Sequence, residues 1–171
     1  IATAKKLVAT ADVFLENFRP GALEAKGLGY ADLSAANPRI IYLSLKGFLT
    51  GPYEQRTALD EVVQMMSGLA WMTGPVGKPL RAGAPVNDMM GGMFGVIAIM
   101  AALRERDLTG KGQYVQSSLF ENAAWLVSTH MMQEAVTGIN LRNRALGLPA
   151  IGIGIGLNTG RVVAGNIGSE R

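Results

Sequence analysis

The chain has no cysteine and a single histidine, His130. The first absence excludes a disulfide scaffold, a thiolate nucleophile and a Cys-ligated zinc site. The second leaves no basis for a multi-histidine metal site or a histidine-based triad, so no metal centre is expected. Charge is scarce at 17% of residues, whereas 49% are hydrophobic, enough to build a core and too many for a disordered chain. Basic runs interleaved with aromatics are missing, which argues against nucleic-acid binding. No apolar run of about 7–15 residues follows Lys5-Lys6, so a signal peptide is not expected. The chain starts at Ile1 without an initiator Met, as a fragment of something longer would. Nucleophilic chemistry must therefore rest on a carboxylate, a hydroxyl or a lysine.

The formal net charge of +3 is unevenly placed. Residues 1–138 carry 12 basic and 12 acidic side chains. The surplus comes from Arg142, Arg144, Arg161 and Arg171 against Glu170. The pI near 9.4 thus describes a short tail rather than a basic face.

Along the chain, Ala11 to Asn17 reads as a short strand ending in the loop Phe18-Arg19-Pro20-Gly21. Ala22 to Lys26 and Asp32 to Ala36 read as short helices, the second ending before Asn37-Pro38. Ile40 to Leu45 reads as a buried strand. Strand, helix and strand in this order predict a βαβ unit in a parallel sheet. Thr57 opens a predicted helix running to Ser67, with Thr57 and Asp60 spaced as a capping box. The apolar stretch Met89 to Leu103 is fifteen residues long and interrupted by Gly91-Gly92. That is short of the roughly 20 residues a membrane span needs, so a buried helix and no membrane are expected. Gln113 to Ser117 alternates as a strand, and Leu119 to Thr137 reads as a longer helix. His130, in its middle, reads as a packed or surface residue.

Several segments then combine. Asp12-Val-Phe-Leu-Glu-Asn-Phe-Arg-Pro-Gly21 is followed by Asn37-Pro-Arg-Ile-Ile-Tyr42. Next come Leu59-Asp-Glu-Val-Val-Gln64 with Ser67-Gly68, and Arg81-Ala-Gly-Ala-Pro-Val-Asn-Asp-Met-Met-Gly-Gly92. Thr109-Gly-Lys-Gly-Gln113, with Val115 and Leu119-Phe120, completes the set. In this order and spacing, residues from about 5 to 138 resemble the interior of a family III CoA-transferase, the formyl-CoA and carnitine CoA-transferase group.

The resemblance implies a Rossmann-like α/β fold and CoA transfer between short-chain carboxylic acids through an aspartyl-CoA intermediate. Its substrates are acyl-CoA thioesters and carboxylic acids, with no permanently bound cofactor, and it implies a cytoplasmic enzyme that is homodimeric at full length. The position matching the family's acyl-accepting aspartate is Asp88, and Asp60 matches a second acidic position near it. For CoA the match points to Asn17, Phe18, Arg19 and Lys46. Beside the resemblance, Asp88 stands where a predicted helix begins. The positive end of the helix dipole would favour its ionised form there, and Gly91 and Gly92 would leave room for a thioester. The same position would suit a helix cap, as would Asn87, and Asp60 would equally suit the capping box of Thr57. Leu59 stands where the related acyl-CoA racemases carry a histidine, which disfavours racemisation. Arg81 near Asp88 hints at an anionic substrate.

Composition changes after Gly138. Positions 147–168 hold seven glycines. Ile151 to Leu157 alternates with period two before Asn158-Thr159-Gly160, which predicts a β-hairpin. With Val162-Val-Ala-Gly-Asn-Ile-Gly-Ser-Glu-Arg171, this tail is similar to class III adenylate/guanylate cyclases, without their metal-binding aspartates. The expected organisation is therefore a CoA-transferase large-domain fragment at 1–138 and a cyclase-like hairpin fragment at 139–171. The competing expectations are a cyclase-derived regulatory fragment and a non-catalytic chimaeric or truncated chain.

Overall fold

A computed structural model describes residues 1–152. The chain divides into two compact units, Ile1–Ser128 and Thr129–Arg171. The first is built on three parallel strands, β1 (Val13–Glu16), β2 (Ile41–Lys46) and β3 (Tyr114–Ser118), in the order β1-β2-β3. Val13 pairs with Ile41 and Tyr42 with Tyr114, which fixes the register. Parallel neighbours need crossovers. A 3-10 turn at Glu24–Lys26 and helix α2 (Tyr30–Ala36) make the first. Helices α3 (Asp60–Met66), α4 (Leu69–Thr73) and α5 (Val86–Thr109) make the second. Helix α1 (Ala2–Val8) precedes the sheet and was not anticipated from the sequence. The α/β parallel-sheet expectation holds.

The β-branched start of β2 places it at the centre. Ile41, Tyr42, Leu43 and Ser44 are all buried, and Leu33 and Ile40 join them in the core. Burying each of these large aliphatic side chains contributes about 1.5–3 kcal/mol. Phe14, Tyr30 and Tyr114 surround Tyr42 with ring centroids 5.0, 6.0 and 5.6 Å away. Helix α5 packs on β2 and β3 through small residues. A Cβ on Gly95 would stand 2.8 Å from Leu43 Cδ2, so the close approach of helix to sheet depends on that glycine. At the far end Arg106 is buried and donates to the carbonyls of Asp12 and Arg39 and to the Asp12 carboxylate.

Several sequence expectations need correction. Helix α3 begins at Asp60, not Thr57, because residues 57–59 lie outside the helix and no side-chain cap bond forms at Leu59. The Thr57 capping box does not exist. Helix α5 is 24 residues long, extending beyond the apolar stretch at both ends and closing at Gly110, at φ 74°. It is long and apolar enough to cross a membrane by length and composition, and little of it is buried. Asn87, Gly91, Gly95, Ala102 and Arg106 are covered, while Met89, Met93, Ile97 and Met100 are exposed. The buried-helix expectation thus holds for one face only.

Helix α6 (Leu119–Ala145) continues through the expected join at 138–139. His130 is exposed on it. In the second unit, the Asn140 amide pairs with both backbone groups of Ile151, at 2.8 and 2.6 Å. Asn143 Nδ2 donates to the Pro149 carbonyl at 3.0 Å. Of the cyclase-like fragment expected at 139–171, residues 139–145 belong to α6, while the predicted hairpin lies outside the described residues apart from Ile151 and Gly152.

Candidate active site

Ligands of parallel α/β sheets sit beyond the carboxyl ends of the strands. Here the ends of β1 and β2, the segment 56–61 and the first turns of α5 enclose a cavity of about 470 Å³. Asn17, Phe18, Arg19, Lys46, Asp60 and Asp88, separated widely in the sequence, all line it. Arg81 does not.

One wall is the strand-end loop. Glu16, the last residue of β1, is buried, and its carboxylate accepts from Ser44 Oγ at 2.5 Å and from the Phe18 backbone N–H at 2.9 Å. Lys46 Nζ lies 2.7 Å from Glu16 Oε1 and donates to the Phe18 carbonyl, also at 2.7 Å. Both backbone polar groups of residue Phe18 are therefore held by the last residues of two adjacent strands. Arg19 and Arg56 also face the cavity, and among the described residues neither guanidinium has an ion-pair partner. Arg56 lies over the Tyr53 ring, 4.6 Å from its centroid.

The opposite wall carries the carboxylates. A helix start leaves backbone N–H groups without partners. At α5 the missing acceptor is Asp60, a residue from another helix. Its Oδ2 accepts from the N–H groups of Asn87 at 2.7 Å and Asp88 at 3.3 Å, and its Oδ1 accepts from Gln64 Nε2 at 2.5 Å. Gln64 in turn takes the Ala82 N–H at 2.7 Å, tying the preceding loop to α3. Asp60 is only 3% exposed, and burial of a carboxylate is tolerable here because three donors satisfy it.

Asp88 differs. Helix α5 starts at Val86 with Pro85 as its flanking residue and no side-chain cap bond, so Asp88 sits inside the first turn. Among the described residues its carboxylate makes no hydrogen bond or ion pair. The capping alternative for Asp88 therefore fails, because Asp60 does that work. Asp88 is exposed at the cavity wall; partial desolvation there, then the charges of Asp60 and Glu61, push its carboxyl above its ordinary value. This reverses the expectation from the helix dipole: the positive end of α5 is already answered by Asp60.

Glu16, Arg56, Glu61 and Ser117 also belong to this site and were not picked out from the sequence. Ser117 is buried and donates to the Gly91 carbonyl at 3.0 Å, fastening β3 to α5 just behind Asp88. Glu16 carried one signal, an acid at the end of an apolar strand just before a loop; the others carried none. No group of three or more His, Cys, Asp or Glu able to hold a metal occurs among the described residues.

A family model for CoA-transferase family III matches residues 1–153. The chain belongs to CoA-transferase family III. It is 43% identical over 121 residues to the beta subunit of succinyl-CoA–L-malate CoA-transferase from Chloroflexus aurantiacus, covering 69% of this chain and 30% of that one. Human succinyl-CoA:glutarate CoA-transferase is 43% identical over 120 residues, covering 69% and 27%. The acetyl-CoA:oxalate CoA-transferase of Acetobacter aceti is 40% identical over 136 residues, covering 78% and 35%. Among solved structures, a CAIB/BAIF family protein from Brucella suis superposes with a TM-score of 0.76 at 40% identity, covering 80% of this chain and 37% of that one. The chain thus spans about a third of the length of the curated family members it matches.

Proposed function

We propose that this chain carries the nucleophile-bearing part of a cytoplasmic, homodimeric enzyme that transfers CoA between short-chain carboxylic acids, with residues 1–138 as the transferase segment. The Asp88 carboxylate attacks the carbonyl carbon of an acyl-CoA, and the thioester C–S bond breaks to give a mixed anhydride and CoA thiolate. The thiolate attacks the aspartyl carbonyl and expels the donor acid as its carboxylate, leaving an aspartyl-CoA thioester. The acceptor carboxylate repeats the sequence in reverse and regenerates Asp88.

The observation that carries this reading is the Asp88 carboxylate, without a partner and facing a cavity shared with the strand-end loop. A nucleophile needs its lone pairs free, and a carboxyl pushed up by partial desolvation and by Asp60 is a more basic, stronger nucleophile. Asp60 serves by holding the first turn of α5. Asn17, Phe18 and Arg19 form the CoA side of the cavity, with Lys46 behind them. The family members named for succinyl-CoA, malate, glutarate and oxalate support a small carboxylic acid as the acyl partner. Leu59 offers no acid–base group beside Asp60, which favours transfer over racemisation.

The test grafts residues 12–138 into the human glutarate enzyme in place of the matching segment. Succinyl-CoA-dependent CoA transfer to glutarate is then followed with Asp88 and with Asp88→Asn. Activity in the first and its loss in the second supports the reading. Equal activity in both contradicts it.

A further inference from the structure

We propose that Glu16 and Lys46 form a clamp that positions the Asn17–Phe18–Arg19 loop for CoA, so that Lys46 acts on the ligand through the loop rather than as a cation contacting its phosphates. This rests on the reading above that the loop faces CoA.

A carboxylate buried beside a site for a polyanion is electrostatically adverse, so its presence calls for a positional reason. Glu16 supplies one. It accepts the Phe18 N–H at 2.9 Å while its ion-pair partner Lys46 donates to the Phe18 carbonyl at 2.7 Å. The two peptide groups flanking the Phe18 Cα are thereby both held, and Arg19 is the next residue along. Lys46 is already committed: its ammonium sits 2.7 Å from Glu16 Oε1, and its side chain is 12% exposed. To reach a phosphate it would have to leave a buried carboxylate unpaired, which is costly. Arg19 is exposed and has no ion-pair partner among the described residues, so it is the cation this wall has available.

The clamp makes a prediction opposite in sign to simple electrostatics. Glu16→Gln removes a negative charge next to a polyanion, which by charge alone should tighten binding. The clamp predicts roughly ten-fold weaker CoA binding, because the Phe18 peptide loses a charge-assisted hydrogen bond. The experiment titrates the 171-residue chain with CoA and reads affinity from amide chemical shifts at several salt concentrations. Lys46→Gln should also weaken binding about ten-fold while leaving its salt dependence unchanged. Arg19→Gln should flatten that dependence.

Because either single change leaves a buried charge unmatched, the double variant Glu16→Gln/Lys46→Gln is measured beside them. It should lose about as much affinity as one single variant, not the product of the two. Hydrogen exchange at the Phe18 amide should speed up in every clamp variant while that of Leu43 stays slow. Unchanged or tighter binding in Glu16→Gln, or a flattened salt dependence in Lys46→Gln, overturns the clamp. Absence of any CoA effect on the unsubstituted chain overturns the CoA reading of the loop and the clamp with it.

Discussion

The two walls of the cavity treat their carboxylates in opposite ways. On the strand-end wall Glu16 has a lysine, a hydroxyl and a backbone N–H. On the helix wall Asp60 has two backbone N–H groups and an amide, yet Asp88, whose own N–H that carboxylate holds, has nothing. Asp88 is exposed at the cavity wall, and partial desolvation there with Asp60 and Glu61 nearby raises its proton affinity. Glu16 and Asp60 are held by protein donors, whereas among the described residues the Asp88 carboxylate is held by none.

The largest effect that would break this contrast is on stability. Asp60→Ala strands the N–H groups of Asn87 and Asp88 and the Gln64 amide, and should cost about 2–4 kcal/mol in urea unfolding. Asp88→Ala removes no partner and should change stability by less than about 0.5 kcal/mol. Equal losses would erase the distinction.

A middle-sized effect lies in titration. The Asp88 carboxyl should titrate above the ordinary value of 3.8 in carboxyl NMR, and Asp60→Asn should bring it down. Because its folded value is raised, Asp88 contributes stability that is complete below its ordinary value. That contribution is lost as pH rises through the raised one. Asp88→Asn should flatten that part of the stability profile. A titration at or below the ordinary value would contradict the proposed electrostatics. The smallest effect is Thr57→Ala, expected to change stability by less than about 0.5 kcal/mol because no capping box exists. A loss near 1 kcal/mol would restore the box.

The sheet was legible because its strands announce themselves locally. Ile40 to Leu45 is apolar and branched at its start, and Asn37-Pro38 ends the helix before it. The full length of α5 was not, because its ends, Val86 to Asp88 and Arg104 to Thr109, lie outside the apolar stretch that marks it. Gly91 and Gly92 sit inside it, Gly91 facing Leu119 and Asn122 and Gly92 meeting open space. The six proposed site residues came from the family pattern rather than from periodicity, and they share one cavity. What no local pattern could show was the tertiary traffic: Asp60 capping a helix that begins 26 residues later in the chain, at Val86, or Glu16 meeting Lys46 across two strands. Such contacts depend on how elements pack, and the residue types alone leave Asp60 open to a local capping role it does not take.

The central claim is that Asp88 is the acyl acceptor. Its most direct test is mass spectrometry of the grafted enzyme quenched during turnover with succinyl-CoA. A CoA or acyl adduct should localise to the peptide carrying Asp88 and be missing from Asp88→Asn. An adduct on any other residue, or undiminished transfer in the asparagine variant with the amide intact, would contradict it.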